Sequence, residues 1–416
     1  MSHTRVPAAD GIGMGGTVED SAPVGEDGGM TAAPLSYRSP WRQDEHDDLA
    51  DVARTFFTRD VVPHLDKFTA QGHPDREVYR RAGAQGLLGV SVPEPMGGGG
   101  GTFAHEAVVF EEQVRSGDSS LGLGVHSGIV MGYLVAYGSP EQQQRWLPAL
   151  CRGDLVGAIA MTEPGAGSDL QSMRTTATRD GDDYVVQGSK LFITNGFLAD
   201  LVILAVKTDP SARAAGVSLL VCEVDGDTPG FTRGRVLHKI GMQANDTAEL
   251  FFDGMRVPAR NMLGDLEGQG FVQLMTQLPQ ERLVIAVSAV AAMEHAVALT
   301  VDYTKNRTAF GKPLFELQNT RFVLAEATAT ARAGRTLLDH AIGRHLDGEL
   351  DAATAAMVKF WTTDAQNRVI DSCLQLFGGY GYSMEYPIAR LYADARVQRI
   401  YAGANEIMKE LVARVL

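Results

Sequence analysis

The chain has 416 residues, of which 44% are hydrophobic, and a formal net charge of −14 at pH 7. A chain of this length is expected to form roughly two to four domains with a sizeable core. The acidic balance argues against a nucleic-acid partner, which needs a basic patch, although a few local Arg or Lys residues suffice for a phosphorylated ligand.

The three cysteines, Cys151, Cys222 and Cys373, form no CxxC pair, and the nearest histidines lack metal-ligand spacing. We interpret them as small apolar residues in a reducing compartment, which predicts a cytoplasmic protein without a bound metal; a catalytic thiol is the alternative. We find no run of about 18 apolar residues, so no transmembrane helix is expected.

Residues 1–38 are rich in Gly, Ala, Ser and acidic groups, a composition typical of a disordered tail. The tail has the features of neither a secretory signal nor a mitochondrial presequence. Its glycine run at 11–16 looks like a dinucleotide fingerprint. That run follows no strand and opens no apolar helix, so we assign no nucleotide site to it.

Residues 39–154 predict an N-terminal helical domain. Apolar stripes and breakers place helices over 44–57, 76–87, 103–114 and 119–137. The last of these carries small residues, Gly122, Gly124, Ser127 and Gly128. Such residues either let helices approach closely or leave room for a ligand, and the sequence does not separate the two.

Residues 155–267 predict a middle β domain, a barrel or a sandwich, because short apolar runs alternate with Gly, Asp, Asn and Pro. Gly181 and Asp182 fit a hairpin turn. The predicted strands are 156–161, 175–178, 183–187, 190–194, 201–207, 217–224 and 248–252.

Residues 268–416 predict long helices in an antiparallel bundle, which makes the whole chain an α+β protein. The predicted helices are 271–305, with an interruption at Pro279, then 320–346, 351–377 with Asp351 as N-cap, and a closing helical segment over 386–416.

Glu281 lies in the apolar helical stretch 278–286, with Leu278 and Ile285 on its side of the helix. Burial among apolar neighbours raises the pKa of a carboxyl group and suits it to act as a general base. A solvated Glu, or one paired with Arg282, is the alternative, and this segment alone favours it.

Four further segments have the composition of ligand-binding loops, and each also has an ordinary structural interpretation. Residues 161–169 form a glycine-rich loop or a plain turn; 190–196 end a strand with Phe192 and Thr194. Arg307 suits a phosphate or the C-terminus of a helix, and 375–382 form a backbone cradle or a helix cap.

In this order and spacing, the segments resemble the acyl-CoA dehydrogenase family from about residue 41 to 416, down to the terminal 400–407. The resemblance implies an N-terminal helical domain, a middle β domain and a C-terminal four-helix bundle, with FAD between the last two. It also implies a homo-oligomer, a tetramer or a dimer, in which the cofactor reaches a neighbouring subunit.

The resemblance assigns roles to individual positions. Cofactor binding falls on Met161, Thr162, Gly167, Ser168, Phe192, Ile193, Thr194, Arg307, Phe310, Gln318, Gln375, Leu376, Gly378, Gly379, Ala404, Asn405 and Glu406, and substrate binding on Ser168, Pro279, Gln280, Arg282, Ala402 and Gly403. Among the first set, Arg307, Phe310 and Gln318 match contacts to the partner subunit's cofactor. Ala404 replaces a usual Thr that hydrogen-bonds the flavin.

Most members of the family hold the catalytic Glu just before the glycine that is Gly403 here, where this chain has Ala402. A minority, the long-chain and isovaleryl-type enzymes, place it in a Glu-Arg pair on a bundle helix. Glu281 and Arg282 match that pair, and the chain looks most like the long-chain branch.

The implied activity is α,β-dehydrogenation of an acyl-CoA thioester with Glu281 as base and electron-transfer flavoprotein as acceptor. One alternative is a dehydrogenase for acyl-carrier-protein or branched-chain thioesters of a specialised pathway. A flavin oxidase and a catalytically silent flavin-binding homologue are the other two.

Overall fold

A computed structural model describes residues 36–416 of the chain. Almost all of the expected disordered tail, including the glycine run at 11–16, lies in residues 1–35 and therefore outside the described residues. Contacts divide the chain into Met1–Arg38 and Ser39–Leu416, and the second unit carries every helix and strand of the described residues.

Between residue 36 and the first strand there are seven α-helices: α1 (Asp44–Phe56), α2 (Leu65–Gln71), α3 (Arg76–Ala84), α4 (Phe103–Arg115), α5 (Leu123–Val125), α6 (Gly132–Tyr137) and α7 (Pro140–Cys151). Helices α2 and α7 were not predicted. Ser139 caps α7, since its hydroxyl accepts the Gln142 N–H at 3.3 Å, and Pro140 occupies the first turn.

The single regular helix predicted over 119–137 was wrong, because it starts at Leu123 and a π-helical segment, His126–Met131, separates α5 from α6. The small residues nearby allow close approach. A Cβ on Gly122 would lie 2.1 Å from Asn195 Oδ1, and one on Gly128 would lie 3.1 Å from Val284 Cγ2.

The middle β domain is a single mixed sheet of seven strands: β1 (Gly157–Ala160), β2 (Thr176–Asp180), β3 (Asp183–Thr194), β4 (Leu201–Lys207), β5 (Val217–Glu223), β6 (Phe231–Val236) and β7 (Thr247–Pro258). Their order is β1-β4-β2-β3-β7-β6, and β5 pairs with β4. Strands β1 and β4 run parallel, and the β2–β3 hairpin turns at Gly181 and Asp182 as predicted.

Two of the predicted strands, 183–187 and 190–194, are halves of the continuous strand β3, and β6 was not predicted. Gly188 does not end a strand. A Cβ there would lie 2.6 Å from Thr175 Oγ1, so the glycine permits close approach of the neighbouring chain.

Three long helices follow the sheet: α8 (Gly270–Asn306), α9 (Gln318–Leu346) and α10 (Ala352–Phe377). A small hairpin, β8 (Thr308–Ala309) and β9 (Lys312–Pro313), joins the first two, and α11 (Pro387–Ala395) and α12 (Asn405–Ala413) close the chain. Helix α10 contacts α8, α9, α11 and α12, and α8 also contacts α4. The α+β architecture is therefore confirmed.

The three long helices match the predicted bounds within two residues, whereas the closing segment 386–416 is two short helices, α11 and α12, separated by residues 396–404. Asp351 caps α10 by accepting the N–H groups of Ala353 and Thr354 at 3.0 and 2.8 Å. The predicted interruption at Pro279 was wrong, because α8 runs through it. Helix contacts on both sides of the proline keep the helix continuous although one backbone hydrogen bond is lost.

By length and composition alone, α8 would pass as a membrane span, although the sequence had led us to expect no such helix. It is the one helix within residues 36–416 that meets this test, and 56% of its most apolar stretch is buried inside the protein. The core helix of a bundle passes the same test.

The three cysteines are free and buried. Burial raises the pKa of the Cys151 thiol to about 11, and the pKa values of Cys222 and Cys373 are raised as well. Because the thiolate is the reactive form, buried protonated thiols are poor nucleophiles, in agreement with their interpretation as small apolar residues.

Candidate active site

A cavity of about 280 Å³ lies where the N-terminal helices, the sheet and α8 meet. The predicted site residues Met161, Thr162, Phe192, Ile193, Thr194, Glu281 and Ala402 all line it, although they are far apart in sequence. The wall also includes Gly122 at the start of α5, Gly124 within it, and Val284, Ser288 and Ala292 of α8.

The Glu281 carboxyl group is the ionisable group that α8 presents to this cavity. The residue is only 3% exposed, and burial raises its pKa to about 7, opposed by a hydrogen bond from Tyr133 and by the charge of Arg282. Because an unperturbed Glu has a pKa of about 4.3, this carboxyl group is suited to accept a proton near neutral pH.

Tyr133, fully buried on α6, was missed by the sequence analysis. Its hydroxyl donates to Glu281 Oε1 at 2.8 Å. A buried tyrosine in an apolar helix signals that its hydroxyl has a polar partner, but the sequence does not say which one.

Five of the six residues predicted to bind substrate do not line the cavity: Ser168, Pro279, Gln280, Arg282 and Gly403. Arg282 turns towards α10, where its Nη1 lies 3.4 Å from the Ala352 carbonyl oxygen. Successive helical residues point about 100° apart, and this rotation carries Arg282 out of the cavity that Glu281 lines. Gln280 donates instead to the Gly128 carbonyl at 2.8 Å.

A buried ion pair anchors the glycine-rich loop 161–169 to the sheet. Lys190 Nζ lies 2.8 Å from Glu163 Oε1 and 3.0 Å from the Met161 carbonyl oxygen. Glu163 also accepts the N–H groups of Arg174 and Thr175. This anchor keeps Met161 and Thr162 on the cavity wall, whereas Gly167 and Ser168 lie exposed outside it.

Phe192 projects from an irregularity in β3. The pairing of β3 with β7 shifts between Lys190 and Ile193, and Phe192 has a left-handed backbone with φ of 60°. Its ring is consequently 63% exposed beside the cavity. Bulges of this kind re-aim side chains near functional sites.

Ala402 lies on the cavity wall with a left-handed φ of 50°. Its N–H makes no hydrogen bond to any residue of 36–416. Asn405 behaves differently, since it is 1% exposed and its amide bonds to Lys359, Thr363 and Asp364 on α10. Ala404 is the N-cap of α12, and Glu406 is exposed.

The remaining predicted cofactor residues lie at another end of the bundle and do not line the cavity: Arg307, Phe310, Gln318, Gln375, Leu376, Gly378 and Gly379. Tyr303 stacks on Phe377 with ring centroids 4.1 Å apart, which brings the ends of α8 and α10 together. Phe310 is 92% exposed, and no atom lies within 4 Å of a Cβ built on Gly378.

The residues on the cavity wall fit a flavin. Within the described part of the chain, the hydroxyls of Thr162 and Thr194 and the N–H of Ala402 have no hydrogen-bond partner, so all three remain available to a polar ring edge. The exposed ring of Phe192 offers a flat apolar surface. This mixture of apolar wall and few polar groups is typical of a cofactor site.

One cluster resembles a metal site. Ligand atoms of Glu45, His46 and His105 lie within 4.8 Å of one another, a grouping that the sequence analysis missed. However, Nδ1 of each histidine accepts a backbone N–H, from Gln43 and Thr102. In the neutral rings the single proton therefore sits on Nε2. A metal bound to Nε2 would leave that proton on Nδ1, which could then no longer accept the backbone N–H, so metal binding would break both helix caps.

Models of three consecutive domains match the chain: the acyl-CoA dehydrogenase N-terminal domain over 43–154, the middle domain over 158–255 and the C-terminal domain over 268–416. The long-chain specific acyl-CoA dehydrogenase of Mus musculus mitochondria is 48% identical over 372 residues, 89% of this chain and 86% of that protein.

Solved structures agree. An acyl-CoA dehydrogenase from Geobacillus kaustophilus is 46% identical with a TM-score of 0.88, covering 91% of this chain and 99% of that one. A glutaryl-CoA dehydrogenase from Mycobacterium smegmatis, in complex with FADH2, is 29% identical with a TM-score of 0.83, covering 90% and 95%. The three domain matches and the near-complete coverage of these relatives show that the chain belongs to the acyl-CoA dehydrogenase family.

Proposed function

We propose that this protein converts an acyl-CoA thioester to the trans-2-enoyl-CoA, with FAD as cofactor and Glu281 as the base. The observation that carries the assignment of the base is the buried Glu281 carboxyl group on the cavity wall, with a pKa raised to about 7. A solvated Glu with its ordinary pKa would be too weak a base, and a side chain turned away from the cavity could not reach the substrate proton.

The reaction removes a proton from the α carbon and a hydride from the β carbon. Glu281 takes the proton, and at pH 7 roughly half of the carboxyl groups are ionised and ready to do so. FAD, when bound, supplies the two-electron acceptor for the hydride. The apolar walls at Val284 and Ala292 exclude water and keep the carboxyl group basic.

Proton removal places negative charge on the thioester carbonyl oxygen, which needs hydrogen-bond donors. The N–H of Ala402 is available on the cavity wall, and we assign it this role. Any residue other than proline at 402 provides this donor, so the loss of the usual Glu there removes a base and keeps the donor.

The length of the α8 wall supports a medium-chain or long-chain fatty acyl group. Glu281, Val284, Ser288 and Ala292 line the cavity along one helix face. At a rise of 1.5 Å per residue, the interval from Glu281 to Ala292 spans about 16 Å. A chain extending from the base to Ala292 would fill this groove.

Three further features belong to the proposal. Electrons pass to electron-transfer flavoprotein, the protein functions as a dimer or tetramer, and it resides in the cytoplasm, where buried free cysteines stay reduced. The exposed group around Arg307, Phe310 and Gly378 would then bind the cofactor of the partner subunit.

Anaerobic mixing with acyl-CoA esters of graded chain length tests the function, since flavin bleaching reports dehydrogenation directly. We expect the wild type to bleach and Glu281→Gln to retain FAD without bleaching. Glu106→Gln is the matched control, because Glu106 is equally buried with a raised pKa but lies outside the cavity. Bleaching by Glu281→Gln at the wild-type rate would eliminate Glu281 as the base.

The same experiment separates the alternatives. Faster bleaching by an acyl-carrier-protein or branched thioester would redirect the assignment to a specialised pathway. Rapid peroxide formation in air would indicate an oxidase. A protein that binds FAD but is bleached by no thioester would indicate the silent flavin-binding homologue.

A further inference from the structure

Lys359 lies in the middle of α10 and is completely buried. Its Nζ donates to the Gly403 carbonyl oxygen at 2.7 Å and to Asn405 Oδ1 at 3.0 Å. We infer that Lys359 is a positioning residue that fixes the Ala402 N–H where the thioester oxygen gains charge. This role rests on the proposed function and adds a residue that the reaction scheme had not required.

The backbone at this point needs an external support. Ala402 and Gly403 are consecutive left-handed residues, with φ of 50° and 90°. The φ of Gly403 favours glycine, since side chains strain this backbone conformation, and a Cβ there would also displace the end of the Met408 side chain. A non-glycine residue such as Ala402 keeps a left-handed conformation only when its surroundings enforce it.

Two anchors on α10 hold the backbone directly after Ala402. Asn405, after the strained pair, donates to Asp364 and Thr363 and thereby fixes the start of α12. Lys359 holds the Gly403 carbonyl oxygen, which lies two peptides after the peptide that carries the Ala402 N–H. With the chain held at these points, the left-handed turn that sets the direction of the Ala402 N–H is maintained.

The choice of a lysine is costly for the fold, which points to a function beyond packing. A buried ammonium group is unfavourable unless it is well compensated. Both hydrogen-bond acceptors of Lys359 are neutral oxygens, while Asp364 and Glu406 act on it only through space. Arg282 adds a second buried positive charge to the same region.

The charge also has a direction that suits the reaction. An ammonium group bound to the Gly403 carbonyl polarises the Gly403–Ala404 peptide, and Ala402, which lines the cavity, directly precedes Gly403 in the chain. Fixed positive charge in a dry site stabilises the negative charge that develops on the substrate oxygen. Lys359 therefore acts through the backbone and does not touch the reacting atoms.

The test compares Lys359→Met, which keeps the length of the stem, with Thr362→Val, which removes a buried side-chain hydrogen bond within α10 and leaves both Gly403 and Asn405 held. Each holoenzyme is titrated with a 3-oxoacyl-CoA, whose bound enolate carries the charge that the donor stabilises. The midpoint pH of its ionisation is read optically. Anaerobic flavin reduction and the dissociation constant of a saturated acyl-CoA are measured in parallel.

We expect Lys359→Met to raise the ionisation midpoint by about one pH unit and to slow flavin reduction at saturating substrate about tenfold. This is less than the loss of about 10²–10³ on removal of an oxyanion donor, because the Ala402 N–H itself remains. Binding of the saturated acyl-CoA and FAD content should change little. Thr362→Val should melt at a lower temperature while keeping both the midpoint and the reduction rate.

Equal midpoints for the two variants would overturn the role of Lys359. So would a Lys359→Met protein that cannot hold FAD while Thr362→Val holds it, because the lysine would then serve the fold. If Lys359→Met does not fold, Lys359→Gln, which is polar and shorter, takes its place with the same expected direction. A wild type that neither bleaches nor ionises the probe would refute the proposed function itself.

Discussion

Tyr133→Phe isolates the hydrogen bond that tunes the proposed base. The substitution keeps the ring and removes the hydroxyl that donates to Glu281 Oε1 at 2.8 Å. A buried hydrogen bond to a charged group contributes about 1.5–3 kcal/mol. At 1.36 kcal/mol per pKa unit, the pKa of Glu281 should rise by about one to two units above its present value near 7.

The assay is the pH dependence of anaerobic flavin reduction, measured at saturating acyl-CoA. At pH 7 the ionised fraction of Glu281 should fall from about one half to about a tenth or less, and the rate should recover as the pH rises towards 9. Tyr137→Phe is the control, because the hydroxyl of Tyr137 lies 3.5 Å from the Gln273 carbonyl oxygen and does not contact Glu281. An unchanged or lowered midpoint in Tyr133→Phe would refute the reasoning about how the base is tuned.

Three other substitutions test separate parts of the structure. Ala292→Phe should close the far end of the cavity, so kcat/KM should fall at least about tenfold for long acyl chains and stay similar for short ones; an even loss across a chain-length series would place the acyl group elsewhere. Lys190→Met should leave the buried Glu163 carboxylate without its cation, which should lower the free energy of unfolding by about 3–5 kcal/mol at neutral pH and weaken FAD retention. Denaturant titration measures the stability, and an unchanged stability would show that the loop is held by other contacts. Glu281→Gln should stabilise the protein by up to about 3 kcal/mol at pH 8 and not below pH 4. The pKa of this carboxyl group is raised from 4.5 to about 7 by folding, so the wild-type protein loses stability as the pH rises through that window, whereas Gln does not ionise. Melting temperatures that show no such pH dependence would contradict the raised pKa.

Local patterns predicted the elements that carry the site more reliably than the directions of their side chains. The apolar stretch around Glu281 indicated a buried helix, and the structure confirms a helix there. The resemblance treated Glu281 and Arg282 as one unit, yet helical geometry turns Arg282 away from the cavity and towards α10. Sequence proximity on a helix is therefore a poor guide to a shared cavity.

The contacts that complete the site come from residues distant in the chain. Tyr133 reaches Glu281 across 148 positions, and Lys359 reaches Gly403 across 44. Such pairings depend on how α6, α8 and α10 are placed, which periodicity within any one segment does not encode. The sequence did show that Tyr133 and Lys359 are residues with a polar group in apolar helices. A buried polar group needs a hydrogen-bond partner, but the sequence did not identify the partner.

The widened turn at His126–Met131 has a consequence for how this protein tolerates length changes. A π-helical turn accommodates one more residue than an α-helical turn, and each helical residue rotates the next part of the helix by about 100°. Removing one residue from this turn would restore ordinary winding and swing Tyr133 away from the carboxyl group it now contacts. A variant with one residue deleted from this turn is therefore expected to have an altered acidity at Glu281, which Tyr133 contacts across 148 positions of the chain.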